Sequence, residues 1–412
     1  MAIQVLQRPS DVQAAQSPIV FAVNTTDTAY TASEFQYTAK LWIWEGAPAA
    51  SGSYLYEARK YPNTVGSGIF DFSRYINSTL TQLSATNGSY LKYYKTEFNY
   101  QFRSGSATVT GSAVTVSTTG SQMFRAYDGY GIFPDEVNDS LTEQTTYWPF
   151  MTDAGVITQT VLPTDRSNIG GNPKGISIWR GSVNNFSTAS VIDCTVRYAN
   201  GTVATNTYNI PAATSTTTTQ ILHLPSAPGD SDWSTYWPST TNAVGYTFTA
   251  RVTGAFNFTL GRLPYDIVCE NYYEPVRIAF KNRFGQFDFI NFYKRHNNTF
   301  NTEQKLYQPQ LGTWESSTLS YNQYQTKQQR YIVDSTETLQ CNTDWLKGDG
   351  WNELMKQLLV SDEIYWCYDQ TNNLVKPLTI RTNSLQFKTG VNDKLIQYTI
   401  DFDLGQPYKL IF

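Results

Sequence analysis

The feature that most constrains this chain is a two-residue alternation of large side chains that recurs along its length. In "FQYTAKLWIWEG", Phe35, Tyr37, Ala39, Leu41 and Ile43 share one face, and Trp42 and Trp44 share the other. A period of two is that of an extended strand, whose successive side chains point to opposite sides. Large groups on both sides place such a strand at the centre of a sandwich or under a neighbouring subunit. The pattern returns at Phe98, Tyr100 and Phe102, at Ile192, Cys194, Val196 and Tyr198, and at Ile396, Tyr398, Ile400, Phe402 and Leu404. Helical spacing is confined to two short stretches. "DFSRYINSTL" carries Phe72, Tyr75, Ile76 and Leu80 with Asp71 placed as N-cap. "DGWNELMKQLLV" carries Trp351, Leu354 and Leu358 with Asp349 as cap. The fold class expected is mainly β: several antiparallel β-sandwiches, immunoglobulin/fibronectin-like or jelly-roll-like, with a few short helices.

At 412 residues the chain exceeds one ordinary core. The expected division is an N-terminal sandwich over 1–120, a middle β domain with long loops over 121–270, and a C-terminal sandwich with one short helix over 271–412. The Ser/Thr-rich stretch at 103–122 reads as a polar hairpin or projecting arm. Only 16% of residues are charged while 15% are aromatic, so uncharged polar groups and tyrosine must make up much of the surface. Such a surface repels its neighbours weakly and tolerates contact with other chains. Net charge is −4 with no Lys/Arg cluster, which excludes a direct nucleic-acid footprint. "MAIQVLQRPSD" lacks a basic n-region leading into an apolar h-region, so no signal peptide is expected. No apolar run reaches the roughly 20 residues of a membrane helix. The expectation is a soluble product of the cytoplasm with no membrane span.

Four scattered cysteines, Cys194, Cys269, Cys341 and Cys367, read as free, mostly buried thiols. His223 and His296 are the only histidines, which leaves little material for zinc or for a Ser-His-Asp arrangement. No nucleophile elbow, Walker loop or dinucleotide fingerprint occurs. Acids cluster at Asp135, Glu136 and Asp139, at Asp230 and Asp232, at Asp362 and Glu363, and at Asp401 and Asp403. Glycosidases use such pairs across a cleft, but paired surface acids also keep β edges soluble. The reading is therefore not an enzyme, with no catalytic residue, cofactor or metal.

Aromatic residues are the better candidates, because protein interfaces favour them at their centres and sugar rings stack on them. Trp42, Trp44, Trp233, Tyr236, Trp237, Tyr272 and Tyr273 are the candidate interface residues. Asn200-Gly201 is a hairpin signal, and "FKNRFGQFDFINF" reads as a second hairpin turning at Arg283-Phe284-Gly285. Glycine is cheap at positive φ, so Gly201 and Gly285 are assigned as structural turn residues.

"VRIAFKNRFGQFDFINF" also resembles an aromatic hairpin of virion structural proteins from tailed phages infecting Bacteroidota, including crAss-like phages. "RPSDVQAAQSPIVFAV" with "YEARKYPNTVGSGIFDFSRYI" is similar to their N-terminal unit. "NTDWLKGDGWNELMKQLLVSDEIYWC" with "VKPLTIRTNSLQFKTGVNDKLIQYTIDFDL" resembles their C-terminal unit. The likeness covers roughly residues 8–80 and 271–412, and its motifs are turn and packing residues. It implies a β-sandwich tail, neck or baseplate component of the virion. Such a component would assemble as a multi-copy ring with copies of itself and with other virion proteins. The alternative is a receptor-binding fibre or decoration protein that takes a host-surface glycan.

Overall fold

The computed structural model describes residues 3–25, 28–44, 54–80, 91–116, 123–131, 149–169, 172–173, 175–180, 190–210, 220–230, 236–253, 258–269, 272–310, 312, 324, 327–346, 350–387 and 396–405. The chain is mainly β and folds as two compact units. Unit 1 comprises residues 1–269 with 281–288, and unit 2 comprises 270–280 with 289–412. The segments expected as 1–120 and 121–270 thus share a unit, though each builds its own core.

The first core lies between two sheets. One has the order β1 (Ile3–Gln7), β3 (Val20–Thr25), β6 (Ser67–Asp71), all antiparallel. The other runs β2 (Val12–Ala14), β10 (Phe124–Tyr127), β7 (Leu91–Ser104), β4 (Gln36–Trp44), β5 (Tyr56–Lys60). Strand β7 also holds β8 (Ala107–Thr110) and β9 (Val114–Val116). Phe21 and Val23 from the first sheet meet Tyr37, Ala39, Leu41, Phe98, Tyr100 and Phe124 from the second. The alternation that defined these strands in the sequence is the set of side chains that fills this sandwich. Phe21 packs edge-on against Phe72 at 6.0 Å and Phe124 at 5.4 Å, a favoured aromatic geometry. The Tyr37 hydroxyl, buried here, donates to the Gly66 carbonyl at 2.6 Å.

The stretch 103–122 is not a free arm over its described part. It turns at Gly105, φ +64°, and doubles back so that β8 and β9 pair with β7. Val114 and Val116 pack against the first core, which draws the hairpin inward; residues 117–122 lie outside the described residues. The helix α1 spans only Ser73–Asn77, and its N-cap is Phe72 rather than Asp71. Asp71 stays paired with Val20 as the last residue of β6, from where its Oδ1 accepts from the Ser73 and Ile19 amides. Ile76 is the buried residue of α1, while Tyr75 is exposed and Leu80 falls beyond the helix.

The second core of unit 1 lies on the sheet β11 (Gln159–Val161), β19 (Phe258–Ile267), β18 (Ala243–Val252), β15 (Ser190–Tyr198), β16 (Val203–Asn209). Ile192, Cys194, Val196, Tyr246, Phe248 and Leu263 pack against Ile176, Ile178 and Leu224 from the pair β14 (Ile176–Arg180) and β17 (Gln220–Leu224). A short pair, β12 (Asn168–Ile169) and β13 (Asn172–Pro173), precedes β14. Cys194, Cys341 and Cys367 are buried free thiols and Cys269 is exposed.

Unit 2 is built on a sheet of order β21 (Phe287–Phe292), β20 (Val276–Lys281), β24 (Ile364–Asp369), β25 (Leu374–Ile380), β26 (Thr399–Leu404), β23 (Gln329–Asn342), β22 (Asn297–Tyr307). Its helix α2 (Trp351–Val360) buries Trp351, Leu354 and Leu358, the stripe its spacing predicts, together with Met355 and Gln357. Gly350 is the N-cap; Asp349 lies outside the described residues.

Phe21 sits at the junction of both sheets of the first core, so Phe21→Ala is expected to cost about 3–5 kcal/mol, as large-to-small changes in a close-packed core do. Urea unfolding followed by near-ultraviolet circular dichroism checks this. A loss under about 1 kcal/mol would mean the cavity collapses freely.

Candidate interaction surfaces

The tip of the β20–β21 hairpin, residues 281–288, belongs to unit 1, and each of its polar side chains is matched there. Asn282 organises the turn: its Oδ1 accepts from the amides of Phe284 and Gln286, both at 3.0 Å. Its Nδ2 donates to the Met151 carbonyl at 2.9 Å and to Asp288 Oδ2 at 3.0 Å. Arg283 grips Asp153 with two parallel bonds, Nε to Oδ2 at 2.6 Å and Nη2 to Oδ1 at 3.0 Å. Lys281 is buried, with its ammonium 2.7 Å from Asp128 Oδ2. Phe284 enters a small apolar cluster with Val12, Leu91, Tyr127 and Met151. Gly285 has φ +70°, and a Cβ built on it would lie 1.7 Å from the Asp128 carbonyl oxygen. "KNRFGQFD" is therefore a set of packing and hydrogen-bonding matches rather than a ligand loop.

Gln286 continues the network. Ser177 Oγ donates to Gln286 Oε1 at 2.8 Å and lies 2.9 Å from His223 Nδ1. With its one proton spent on Gln286, Ser177 accepts from an Nδ1–H of His223. That polarity is opposite to a base drawing a proton from a nucleophile. Asp288 is fully enclosed, and burial pushes its carboxyl up to about 7 against the pull of the donors Asn282 and Thr152; the Asp153 charge adds to the rise. Thr152 Oγ1 donates to the same oxygen at 2.9 Å.

The sequence-derived aromatic candidates separate into three groups. Trp42 and Trp44 are half-buried on the outer face of β4, where Lys95 Nζ sits 4.6 Å from the Trp42 ring and Trp44 stacks on Tyr93. Trp237 is corrected: it is 2% exposed, a member of the second core, with Nε1 donating to the Pro225 carbonyl. Its indole is drawn in by Phe248, edge-on at 4.6 Å. Tyr236 next to it is half-buried and meets Tyr208 edge-on at 5.1 Å. Trp233 lies outside the described residues. Tyr272 and Tyr273 are exposed and touch each other at 4.7 Å, and Tyr272 is 91% exposed. Gly201 has φ +83° in the β15–β16 turn, where Asn200 Oδ1 accepts from the Thr202 amide.

Three of the described acidic candidates, Asp230, Asp401 and Asp403, hold structural bonds. Asp230 accepts from Ser167 and from the Ala227 amide. Asp401 accepts from Gln340, and Asp403 from Thr338. Asp135, Glu136, Asp139 and Asp232 lie outside the described residues.

One extended exposed feature was not singled out in the sequence. Among the described residues β26 pairs with β23 only over Thr338–Asn342, and beyond that β23 pairs with β22 alone. From the Phe300–Glu337 pair to the Tyr307–Gln329 pair the described residues form a two-stranded ribbon, about 25 Å long at strand rise. Every residue of β22 is exposed. Phe300, Leu306, Tyr307 and Tyr331 are each about half exposed. "NNTFNTEQKLY" has strand-forming residues but no apolar stripe on either face, and that missing stripe is the signal that could have revealed it. Among the described residues no helix is long and apolar enough to cross a membrane. No protein-family model and no curated protein matches the chain.

Gly201 and Gly285 share a left-handed conformation but differ in surroundings, since nothing lies within 4 Å of a Cβ at Gly201. Gly201→Ala is expected to cost about 1–2 kcal/mol for conformation alone. Gly285→Ala adds a backbone clash and is expected to cost clearly more, read by urea unfolding; equal losses would refute the close approach to Asp128.

Asp288 predicts a pH dependence. Its folded value is raised above the ordinary 3.8 to about 7, so the folded state holds the proton more tightly over that interval. Stability from this group therefore falls as pH rises from near 3.8 to about 7 and is flat above. Asp288→Asn keeps an acceptor for Asn282 and Thr152 and removes the titration. Urea unfolding across this range is expected to show wild type losing stability relative to the variant; a constant difference would refute the assignment.

Proposed function

We propose that this chain is a non-enzymatic structural component of a tailed-phage virion, working in the tail, neck or baseplate as one of many copies in a ring. The observation that carries the reading is the ribbon of β22 and β23. A two-stranded ribbon is marginal alone in water, and this one leaves Phe300, Leu306, Tyr307 and Tyr331 half exposed. Such an element is stabilised when a neighbouring subunit covers it. Exposed Tyr272 and Tyr273 and the low charge of the chain support the same reading. The sandwiches act as rigid supports, and closed symmetry multiplies modest contacts. Localisation follows from this: synthesis in the host bacterial cytoplasm, then incorporation into the particle.

A second reading, a glycan-binding fibre or decoration protein, has one observation in its favour. An open hollow of about 440 Å³ is lined by Asn206, Thr207, Tyr208, Asn209 and Tyr236, amide and hydroxyl groups beside aromatic rings.

Mass spectrometry of purified particles tests the first reading, with this chain expected in a fixed ratio to the major capsid protein; its absence from particles overturns it. A glycan array tests the second. A defined signal lost in Tyr236→Ala would favour the fibre reading.

A further inference from the structure

Strand β22 ends the unit 2 sheet and, among the described residues, pairs only with β23. Its outer edge therefore offers backbone donors and acceptors to an incoming strand. The side chains beside that edge carry a specific charge order. Glu303 and Lys305 are exposed, two residues apart, and so share one face of the ribbon. Directly across from Glu303 on β23 stands Asp334, a second exposed acid. Among the described residues no side-chain hydrogen bond or ion pair engages Glu303, Lys305 or Asp334. Like charges directly opposite each other on a ribbon are destabilising, and Lys305, two residues along the same face from Glu303, is the cation that β22 itself sets beside them.

We propose that β22 pairs with β22 of a second copy of this chain, antiparallel and two-fold symmetric about Gln304. The occupant follows from the order Glu303-Gln304-Lys305, which is its own complement when reversed. With Gln304 opposite Gln304, each Glu303 lies opposite the second copy's Lys305, and each Lys305 opposite the second copy's Glu303. Each incoming lysine also lies next to the Glu303–Asp334 pair and offsets its repulsion. The same register sets Leu306 opposite Thr302 and Tyr307 opposite Asn301, so the exposed apolar groups of β22 are partly covered. A lone edge lysine serves to repel other strands; an edge carrying the reversed acid in register admits a copy of itself and disfavours strangers. The contact is isologous, joining two copies and then stopping. It is thus distinct from the head-to-tail contacts that close a ring, and it stands or falls independently of the virion reading.

Sedimentation velocity on the purified full chain at micromolar concentration tests this with charge exchanges at exposed positions. The wild type is expected to form a dimer. Glu303→Lys and Lys305→Glu each set like charges opposite at both junctions and are expected to weaken it about tenfold. An equimolar mixture of the two variants restores both Lys–Glu contacts and is expected to dimerise, as is the double exchange, which also controls for folding. Gln304→Cys in a Cys269→Ser background is expected to cross-link under mild oxidation, since Cα atoms directly opposite in an antiparallel pair lie within disulfide reach. Thr302→Cys, opposite the second copy's Leu306, is expected not to. A monomeric wild type, a dimer indifferent to the exchanges, or equal cross-linking at both positions overturns the proposal.

Discussion

Residues 281–288 carry a lysine, an arginine, an aspartate, an asparagine and a glutamine into the interior of unit 1, and the structure there depends on each being answered. Burying a polar group without a partner costs about 1–3 kcal/mol, and an unpaired charge costs more. Asn282 meets the requirement from both ends of its amide, closing the turn with one and reaching Met151 and Asp288 with the other. Asp128 and Asp153 neutralise Lys281 and Arg283. Such a network contributes modestly when complete, because desolvation offsets much of the attraction. It is costly when broken, so it specifies one register for the tip more than it adds stability.

The surface follows a contrasting logic. In the enclosed hairpin tip the polar side chains are paired; where the ribbon leaves the sheet, aromatic and charged groups stand open on both faces. Trp42 shows an intermediate case, its half-buried outward ring lying under the Lys95 ammonium. Low overall charge therefore coexists with local charge order. The proposed virion role draws on the first property, and the proposed strand pairing draws on the second.

The two sandwich cores were legible because alternation is a direct consequence of strand geometry: Tyr37, Ala39 and Leu41, and Ile192, Cys194 and Val196, could be assigned to one face from spacing alone. The α2 stripe was legible for the same reason at helical period. Trp237 was misjudged because a polar, Pro-rich loop reads as surface, and no local signal indicates that the chain folds an indole back onto Phe248. The extent of α1 was misjudged because β6 holds Asp71 in strand pairing, a tertiary constraint that spacing does not carry. The hairpin tip was recognised as a turn, but its partners at 128, 151–153 and 177 are distant in sequence. Nothing local distinguishes a matched acid such as Asp288 from a solvated one. The ribbon escaped notice because its strands lack the buried face on which pattern reading relies.

The membership of residues 281–288 in unit 1 bears on the order in which the molecule can be made. The parallel pairing of β2 with β10 already brings Val12 against Arg125. The apolar cluster around Tyr127 and Met151 lacks Phe284 until that residue has left the ribosome. At ordinary elongation rates of about 5–20 residues per second the interval is on the order of ten seconds. Throughout it the nascent first unit carries an open notch shaped for its own later sequence. A chain released early, or cut after Cys269, would keep that notch, with Asp128 and Asp153 facing solvent where Lys281 and Arg283 belong.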